Sequence, residues 1–437
     1  MAPAVVVLLL QSPSDVPRSD LLTTELAKFG ISAVPRLALP SSSSLFSLVV
    51  VFSPSQLPLV AALPQPALVL GEQHTALECA KILALACPVV KEKVLERLLD
   101  NEVALHVADC EVKSKAFQGK VCAKLNRTFS ETQLEYGHKY IGKVRDRYQA
   151  GDKMILITTD RLTGFDRPLC KIPYKGQVLN LISQYWFDQT KHIVRNHLLS
   201  VPHPNVSIGM ECTVFPIEFV VRAYLTGSSG TSIWTHYKQG IRHYCGLALP
   251  DGMKQNQAFP EVLLTPTTKS DEHDELISAE EIVRDKWMTQ EDWDFCASKC
   301  LEIFKHAQQV ARKRGLVLVD TKMEFGRNVA TGEIVLIDEL LTPDSSRYWL
   351  ADGLDEAIEQ GLPPANIDKE FVRLWFRDHC DPYKDEVLPE APEEIRVELA
   401  RRYIMLYELI TGKEFEFLDD GNLQQSVELA LADLARA

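Results

Sequence analysis

The stretch Leu316-Val-Leu-Val-Asp-Thr-Lys-Met-Glu-Phe-Gly326 ends an apolar run on three charges at alternate positions. Alternate side chains of a strand share a face, so Asp320, Lys322 and Glu324 point the same way. A second apolar run, Ile334-Val-Leu-Ile, ends on Asp338 and Glu339. Charges at the ends of buried strands are costly unless paired or metal-bound. Two acids on neighbouring strands, Glu324 and Asp338, suit an octahedral Mg²⁺, which usually takes one or two carboxylates plus nucleotide phosphates. An ion-paired strand end at a solvated rim accounts for the same residues equally well.

Other charged groups are spaced for anions. Gly142-Lys-Val-Arg-Asp-Arg-Tyr148 precedes a strand and suits a loop over phosphates. It lacks the Walker A spacing, and alone it reads better as a solvated basic turn. Arg222-Ala-Tyr-Leu-Thr-Gly-Ser228 follows an apolar strand, and Asp344-Ser-Ser-Arg347 is a second candidate clamp. Arg at such a position can hold a phosphate or carboxylate through two N–H donors. Lys269 to Asp274 is a dense charged run in a long loop, either substrate-facing or simply solvated. Together these parts argue for an ATP-using enzyme with anionic substrates. They do not choose kinase over ligase.

The elements that must position these residues follow from 437 residues, 46% hydrophobic and 24% charged. That is globular composition, and the length calls for two or three domains. Net charge is −13, concentrated C-terminally: residues 352–437 carry 21 acidic against nine basic side chains, which leaves the remainder close to neutral. A free-standing nucleic-acid binder would usually be basic, so that class is not expected. No apolar run is long enough to span a membrane. Val5–Leu10 reads as a buried strand and not as a signal peptide. Strands are expected at Leu48–Phe52, Met154–Thr158, Cys212–Tyr224 (interrupted by Pro216), Leu316–Glu324 and Glu333–Asp338. Helices are expected at Leu21–Phe29 (with Gly30 as C-cap), Ala76–Leu85, Val178–His192, Glu291–Arg314, Phe371–Cys380, Glu393–Thr411 and Ser426–Ala435. Asp109–Glu135 reads as a polar linker, and Leu247–His273 as a long functional loop. Cys296 and Cys300, four apart on a helix, read as core residues, because no partner pair follows at zinc spacing.

The motifs Gly142-Lys-Val-Arg-Asp146, Thr159-Asp-Arg161 with Phe165-Asp166, Arg222 with Thr226-Gly-Ser228, Thr265-Pro-Thr-Thr-Lys269 with His273-Asp274, Asp320-Thr-Lys-Met-Glu-Phe-Gly326 and Leu341-Thr-Pro-Asp-Ser-Ser-Arg347 resemble, in that order, the SAICAR synthetase family. The similarity runs from about Ser130 to Thr411. It is nearest the plant-type branch, through Asn366-Ile-Asp-Lys-Glu370 and Leu388-Pro-Glu-Ala-Pro392. The resemblance implies ligation of L-aspartate to carboxyaminoimidazole ribonucleotide (CAIR) with ATP and Mg²⁺, through an acyl phosphate, in purine biosynthesis. It implies that Gly142, Lys143, Val144 and Arg145 cover the ATP phosphates, with Glu218 at the adenine edge and Lys254 as a nucleotide contact. Glu324 and Asp338 would hold the metal. Arg222, Ser228 and Arg347 would bind the ribonucleotide, with Asp166, Lys269 and Asp274 towards ribonucleotide or aspartate. Asp320 and Lys322 would stand by the reacting carboxylate.

The implied fold is α+β, two lobes of antiparallel sheet related to ATP-grasp and kinase folds, after a small α/β flavodoxin-like domain. The expected divisions are 1–105 for that domain, 106–135 for a linker, 136–215 for the ATP lobe, 216–420 for the catalytic lobe and 421–437 for a tail helix. Residues 1–105 faintly resemble an AIR carboxylase: Ser12-Pro-Ser-Asp15 follows the first strand and Thr75–Leu85 matches a late helix. Gln11 stands in place of a glycine and Gln56 in place of the needed histidine, so a degenerate, non-catalytic domain that serves homo-oligomeric assembly is expected. An unrelated extension reads nearly as well. Three other functions compete: a bifunctional enzyme that also carboxylates AIR, a small-molecule kinase and a nucleotide-binding scaffold. The expected compartment is the cytoplasm, with the plastid as alternative.

Overall fold

In the computed structural model the described residues are 103–269, 275–418 and 422–432, together with the backbone of four earlier strands. The chain divides into two compact units, 1–103 and 104–437. In the first, β1 (Val5–Leu9), β2 (Ser32–Arg36), β3 (Ser47–Val51) and β4 (Val69–Leu70) form a sheet in the order β2-β1-β3-β4, with every pairing parallel. The expected helices Leu21–Phe29 and Ala76–Leu85, and the motif residues Gln11, Ser12–Asp15 and Gln56, lie outside the described residues.

The second unit opens with helix, not linker. Residues 103–116 and Gln118–Lys124 are helical, and Val121 and Leu125 are buried in the main core. The polar composition of 106–124 reflects the outward face of an amphipathic segment, and 128–135 follows without helix or strand.

A first antiparallel sheet has the order β10-β11-β7-β6-β5, from β5 (Lys139–Ile141), β6 (Arg145–Ala150), β7 (Lys153–Thr158), β10 (Leu198–His203) and β11 (Val206–Met210). Its inner face, with Tyr148, Ile155, Ile157, Val206 and Ile208, packs on Phe129, Val427 and Leu431. The last two sit on the helix Leu423–Leu431, which begins before the expected Ser426. The hairpin β8 (Arg161–Gly164) and β9 (Arg167–Lys171) stands apart from this sheet.

The second antiparallel sheet carries the charged strand. Its order is β15-β12-β17-β18, with β16 on β12 and β19 on β17, from β12 (Cys212–Tyr224), β15 (Ala258–Leu264), β16 (Thr267–Thr268), β17 (Leu316–Asn328), β18 (Ile334–Ile337) and β19 (Ser346–Leu350). The remaining pair, β13 (His243–Tyr244) and β14 (Leu247–Ala248), is a short hairpin. The segment expected as one long loop therefore contains β14, β15 and β16. Pro216 sits within β12, where its pairing with β17 slips between Val214 and Glu218, as a proline inside a sheet requires.

Alternation explains the packing. Phe219, Val221, Met323 and Phe325 turn into the core beneath the 23-residue helix Gln290–Arg312. That helix buries Trp293, Cys296, Cys300, Ile303, Phe304, Ala307 and Ala311 at the spacing of one helical face. Thr289 caps its start by accepting from the Asp292 N–H, and Gly315 (φ +73°) follows its end. Cys296 and Cys300 are thus core residues, with thiols pushed up by burial. Phe219 is fully buried, stacked on Trp293 at 5.4 Å and edge-on to Phe325 at 5.3 Å. Phe219→Ala is expected to cost about 3–5 kcal/mol, measurable as a lower denaturant midpoint with an unchanged slope.

Candidate active site

The face of β12, β17 and β19 opposite that helix is the floor of a cleft of about 910 Å³. Register places the charges in rows. Glu218 lies opposite Glu324, Val220 opposite Lys322, and Arg222 opposite Asp320, which in turn lies opposite Arg347 on β19. Two carboxylates directly opposite each other repel. Lys322 resolves this by donating to Glu218 Oε1 at 2.7 Å and Glu324 Oε1 at 2.6 Å. Burial would lower its pKa, but Glu324, Glu218 and Asp338 outweigh it and hold the ammonium charged. Lys269 pairs with the other oxygen of Glu324, and Thr267 Oγ1 donates to Glu218 Oε2 at 3.0 Å.

Asp338 reaches the same cleft by a backbone exception. Ile337 lies opposite Glu324, so continued pleating would send the next side chain to the Met323 face, which is core. Instead β18 ends, and Asp338 adopts φ +66°, a left-handed conformation that asparagine and aspartate tolerate better than most residues. Its carboxylate lines the cleft and accepts from Arg145 Nη1 at 2.6 Å, while Arg145 Nη2 donates to Glu339 at 2.5 Å. Burial opposes ionisation there, yet Arg145 and Lys322 prevail and hold the Asp338 carboxyl well below the usual range. Arg145 thereby ties the phosphate-loop candidate to β18. Gly142 closes that loop: its N–H donates to the Arg145 carbonyl at 2.8 Å, and a Cβ would stand 2.8 Å from the same oxygen.

Asp320 is the centre of a second set. It accepts from Arg347 Nη1 at 2.5 Å and Arg222 Nη1 at 3.4 Å, and Arg222 Nε donates to Thr265 at 2.9 Å. Glu370 stands 3.5 Å from Arg347 and 3.7 Å from Arg373. The Nε groups of Arg347 and Arg373 are buried without a hydrogen-bond partner among the described residues. Unused buried donors on two cations are suited to an anion. Lys369 lines the cleft as well; burial pulls its ammonium down to about 8, with Arg373 and Lys175 adding to the effect and Asp344 opposing it. Next to it, burial pushes Asp368 up to about 7, although that carboxyl accepts from the Glu370 and Tyr348 N–H groups at 2.7 and 2.8 Å.

Behind the Asp344–Arg347 turn lies a buried ion pair. Lys175, fully buried, stands 2.8 Å from Asp344, whose other oxygen accepts from Tyr403 at 2.6 Å. Lys175 opens the helix Lys175–Thr190, three residues before the expected start, and Tyr403 belongs to Glu393–Thr411. Two helices thus pin the turn that carries Ser345, Ser346 and Arg347 into the cleft.

Of the residues singled out in the sequence, Gly142, Lys143, Val144, Arg145, Asp166, Glu218, Arg222, Lys269, Asp320, Lys322, Glu324, Asp338 and Arg347 line this cleft. Two do not. Lys254 is exposed in the turn before β15, where its N–H donates to Gln257. Ser228 is half-buried beyond Gly227, and its chain neighbour Ser229 lines the wall in its place. Asp274 lies outside the described residues. Sequence reasoning passed over Lys369 and Arg373. They lie four residues apart, at and just inside the start of the helix Glu370–His379. Among the described residues no three His, Cys, Asp or Glu side chains approach closely enough to hold a metal by themselves. Glu324 and Asp338, two charged hard-oxygen donors in one cleft, fit a Mg²⁺ whose other ligands are phosphate and water.

A sequence model of the SAICAR synthetase family matches residues 138–390. The chain is 59% identical over 288 residues to a Legionella pneumophila phosphoribosylaminoimidazole-succinocarboxamide synthase, covering 66% of this chain and 92% of the relative. It is 53% identical over 305 residues to the chloroplastic enzyme of Arabidopsis thaliana, covering 69% and 74%. Among solved structures, the SAICAR synthase of Saccharomyces cerevisiae in complex with SAICAR superposes with a TM-score of 0.56 at 28% identity, over 66% of this chain and all of that one. With the family's motifs set side by side on one sheet face, and matches that cover more than half of its length, the chain belongs to the SAICAR synthetase family.

Proposed function

We infer that this cleft joins the carboxylate of CAIR to the amine of L-aspartate at the expense of ATP, releasing ADP and phosphate. The observation that carries this is the shared face of β12 and β17. It sets the anion pocket around Arg222, Asp320 and Arg347 beside the carboxylate pair Glu218 and Glu324 with Lys322 between. A carboxylate acylates poorly until an oxygen is made a leaving group, so phosphoryl transfer to CAIR must precede amide formation. Gly142–Arg145 and Glu218 are proposed to hold ATP. Glu324 and Asp338 are proposed to hold Mg²⁺, which when bound neutralises charge on the transferring phosphoryl group. Lys322 and Lys269 orient Glu324, and Arg145 holds Asp338 ionised and oriented. Arg222, Arg347, Lys369 and Arg373 gather the substrate anions, and holding three anionic reactants in line provides much of the rate acceleration.

The test is a coupled ADP assay on the full chain with CAIR, aspartate and ATP each omitted in turn. Glu324→Ala and Asp338→Ala are each expected to reduce product formation by about 10²-fold or more, with the Mg²⁺ concentration for half-maximal rate raised. ADP release that ignores aspartate in the unmodified chain would favour the kinase reading instead. Residues 1–105 are proposed to serve assembly and not carboxylation. The all-parallel order β2-β1-β3-β4, with which flavodoxin-like sheets begin, supports that domain type. The compartment is proposed as cytoplasm or plastid, and a fluorescent fusion of the full chain decides between them.

A further inference from the structure

The tip of the β8–β9 hairpin is strained. Its two turn residues, Phe165 and Asp166, both adopt left-handed backbone, at φ +54° and +57°. Such a two-residue turn favours Asn-Gly or Asp-Gly, and a bulky aromatic there is a costly exception that usually serves function. The strain aims Phe165 at the cleft wall, edge-on to Tyr383 with ring centroids 5.4 Å apart, while Asp166 pairs with Lys143 of the phosphate-loop candidate at 2.8 Å. Tyr383 in turn accepts from the Gly230 N–H at 3.3 Å, on the turn beyond Gly227. The next hairpin residue, Arg167, donates to the carbonyls of Pro382, Asp385 and Glu386 at 3.3, 2.5 and 2.8 Å. One hairpin therefore ties together the ATP side, the Gly227–Gly230 turn and the segment 381–386. The structure thus holds a clasp that crosses the cleft beside Arg373, whose Nε lies 3.6 Å from where a Gly164 Cβ would stand.

We propose that Tyr383, held by Phe165 and Arg167, is a positioning residue that keeps water from the activated carboxyl until the aspartate amine attacks. The proposal rests on the acyl-phosphate reading above. In the reaction it prevents, water attacks the acyl phosphate, the bond between acyl carbon or phosphorus and the bridging oxygen breaks, and CAIR carboxylate and inorganic phosphate are released. The net result is hydrolysis of one ATP to ADP and phosphate. Excluding water from a reactive intermediate is what a closing element contributes. Tyr383 is 55% exposed, so truncating it removes little core packing.

The experiment measures phosphate and succinocarboxamide product in parallel on the full chain, for the unmodified protein, Tyr383→Ala, Tyr383→Phe and Arg167→Ala. The unmodified chain should release one phosphate per product and little without aspartate. Tyr383→Ala should raise CAIR-dependent, aspartate-independent phosphate release on the order of tenfold, equivalent to about 1.4 kcal/mol. Tyr383→Phe, which keeps the ring and loses the bond to Gly230, should fall between, and Arg167→Ala should uncouple as well. If both alanine variants turn over more slowly but stay at one phosphate per product, Tyr383 is merely structural and the proposal is wrong. CAIR labelled with heavy oxygen in its carboxylate separates this from failure of the underlying reading. No label in the phosphate released by the unmodified chain overturns the acyl phosphate itself.

Discussion

Lys322→Met is expected to lower product formation by about 10²–10³-fold, the loss typical of removing one preorganised electrostatic group from an active site. The reason is geometric before it is catalytic. Glu218 and Glu324 face each other across the β12–β17 ladder, and the Lys322 ammonium, 2.7 and 2.6 Å from their oxygens, bridges the two, while Lys269 pairs with Glu324 alone. Without it the two carboxylates repel across the ladder and turn apart. Neither then presents its oxygens where Mg²⁺ and the nucleotide are proposed to meet them. Lys322→Arg should recover little. A planar guanidinium cannot place one point charge between two opposed carboxylates as an ammonium does. Glu218 and Glu324 are buried, so losing the bridge should also lower global stability, by about 3 kcal/mol. The measurement is product formation against Mg²⁺ at several pH values, beside an unfolding curve. Activity within tenfold of the unmodified chain would show that the pair does not need its bridge.

How much of this was legible in the sequence depends on whether local alternation decided the outcome. Asp320, Lys322 and Glu324 share a face because a strand has period two, and the structure keeps that face intact along β17. Asp338 is the opposite case. Alternation across the β17–β18 register assigns it to the core face, and only the left-handed backbone at that residue turns it into the cleft. It was singled out as the acid ending an apolar run, but the conformation that makes this work is not encoded in any period. Lys369 and Arg373 went unnoticed because their meaning comes from tertiary placement. Nothing local says that the start of the helix Glu370–His379 abuts Arg347. Lys254 was assigned through the family resemblance alone, and the structure leaves it exposed in the turn before β15, outside the cleft wall. The helices at 103–124 were missed because so many of their residues face water, and few apolar ones, Cys110 and Val121 with Leu125 just beyond, report the buried side.

The second large effect is on the fold. Asp344→Ala is expected to cost about 3–5 kcal/mol, because it leaves a charged lysine buried with no counterion. Lys175 has no exposed surface, Asp344 almost none, and Tyr403 completes the carboxylate's hydrogen bonding at 2.6 Å. The same pair predicts an acid sensitivity. Burial alone would raise the Asp344 pKa, but Lys175, with Lys369 and the bonds from Lys175 and Tyr403, brings it down to about 2. A folded-state pKa below the ordinary 3.8 means that the contribution is fully present above about pH 4 and is lost as pH falls towards 2. Unfolding curves between those limits should therefore converge for the unmodified chain and Asp344→Ala. The double variant Lys175→Met, Asp344→Leu removes both charges at once and should regain most of the stability at pH 7. Its activity should stay low, because the turn that presents Ser345, Ser346 and Arg347 to the cleft would have lost the anchor that joins it to two helices. Recovery of stability with activity still low separates the two roles of one ion pair. If the single variant unfolds at the same denaturant concentration as the unmodified chain, the buried pair is not what holds this turn.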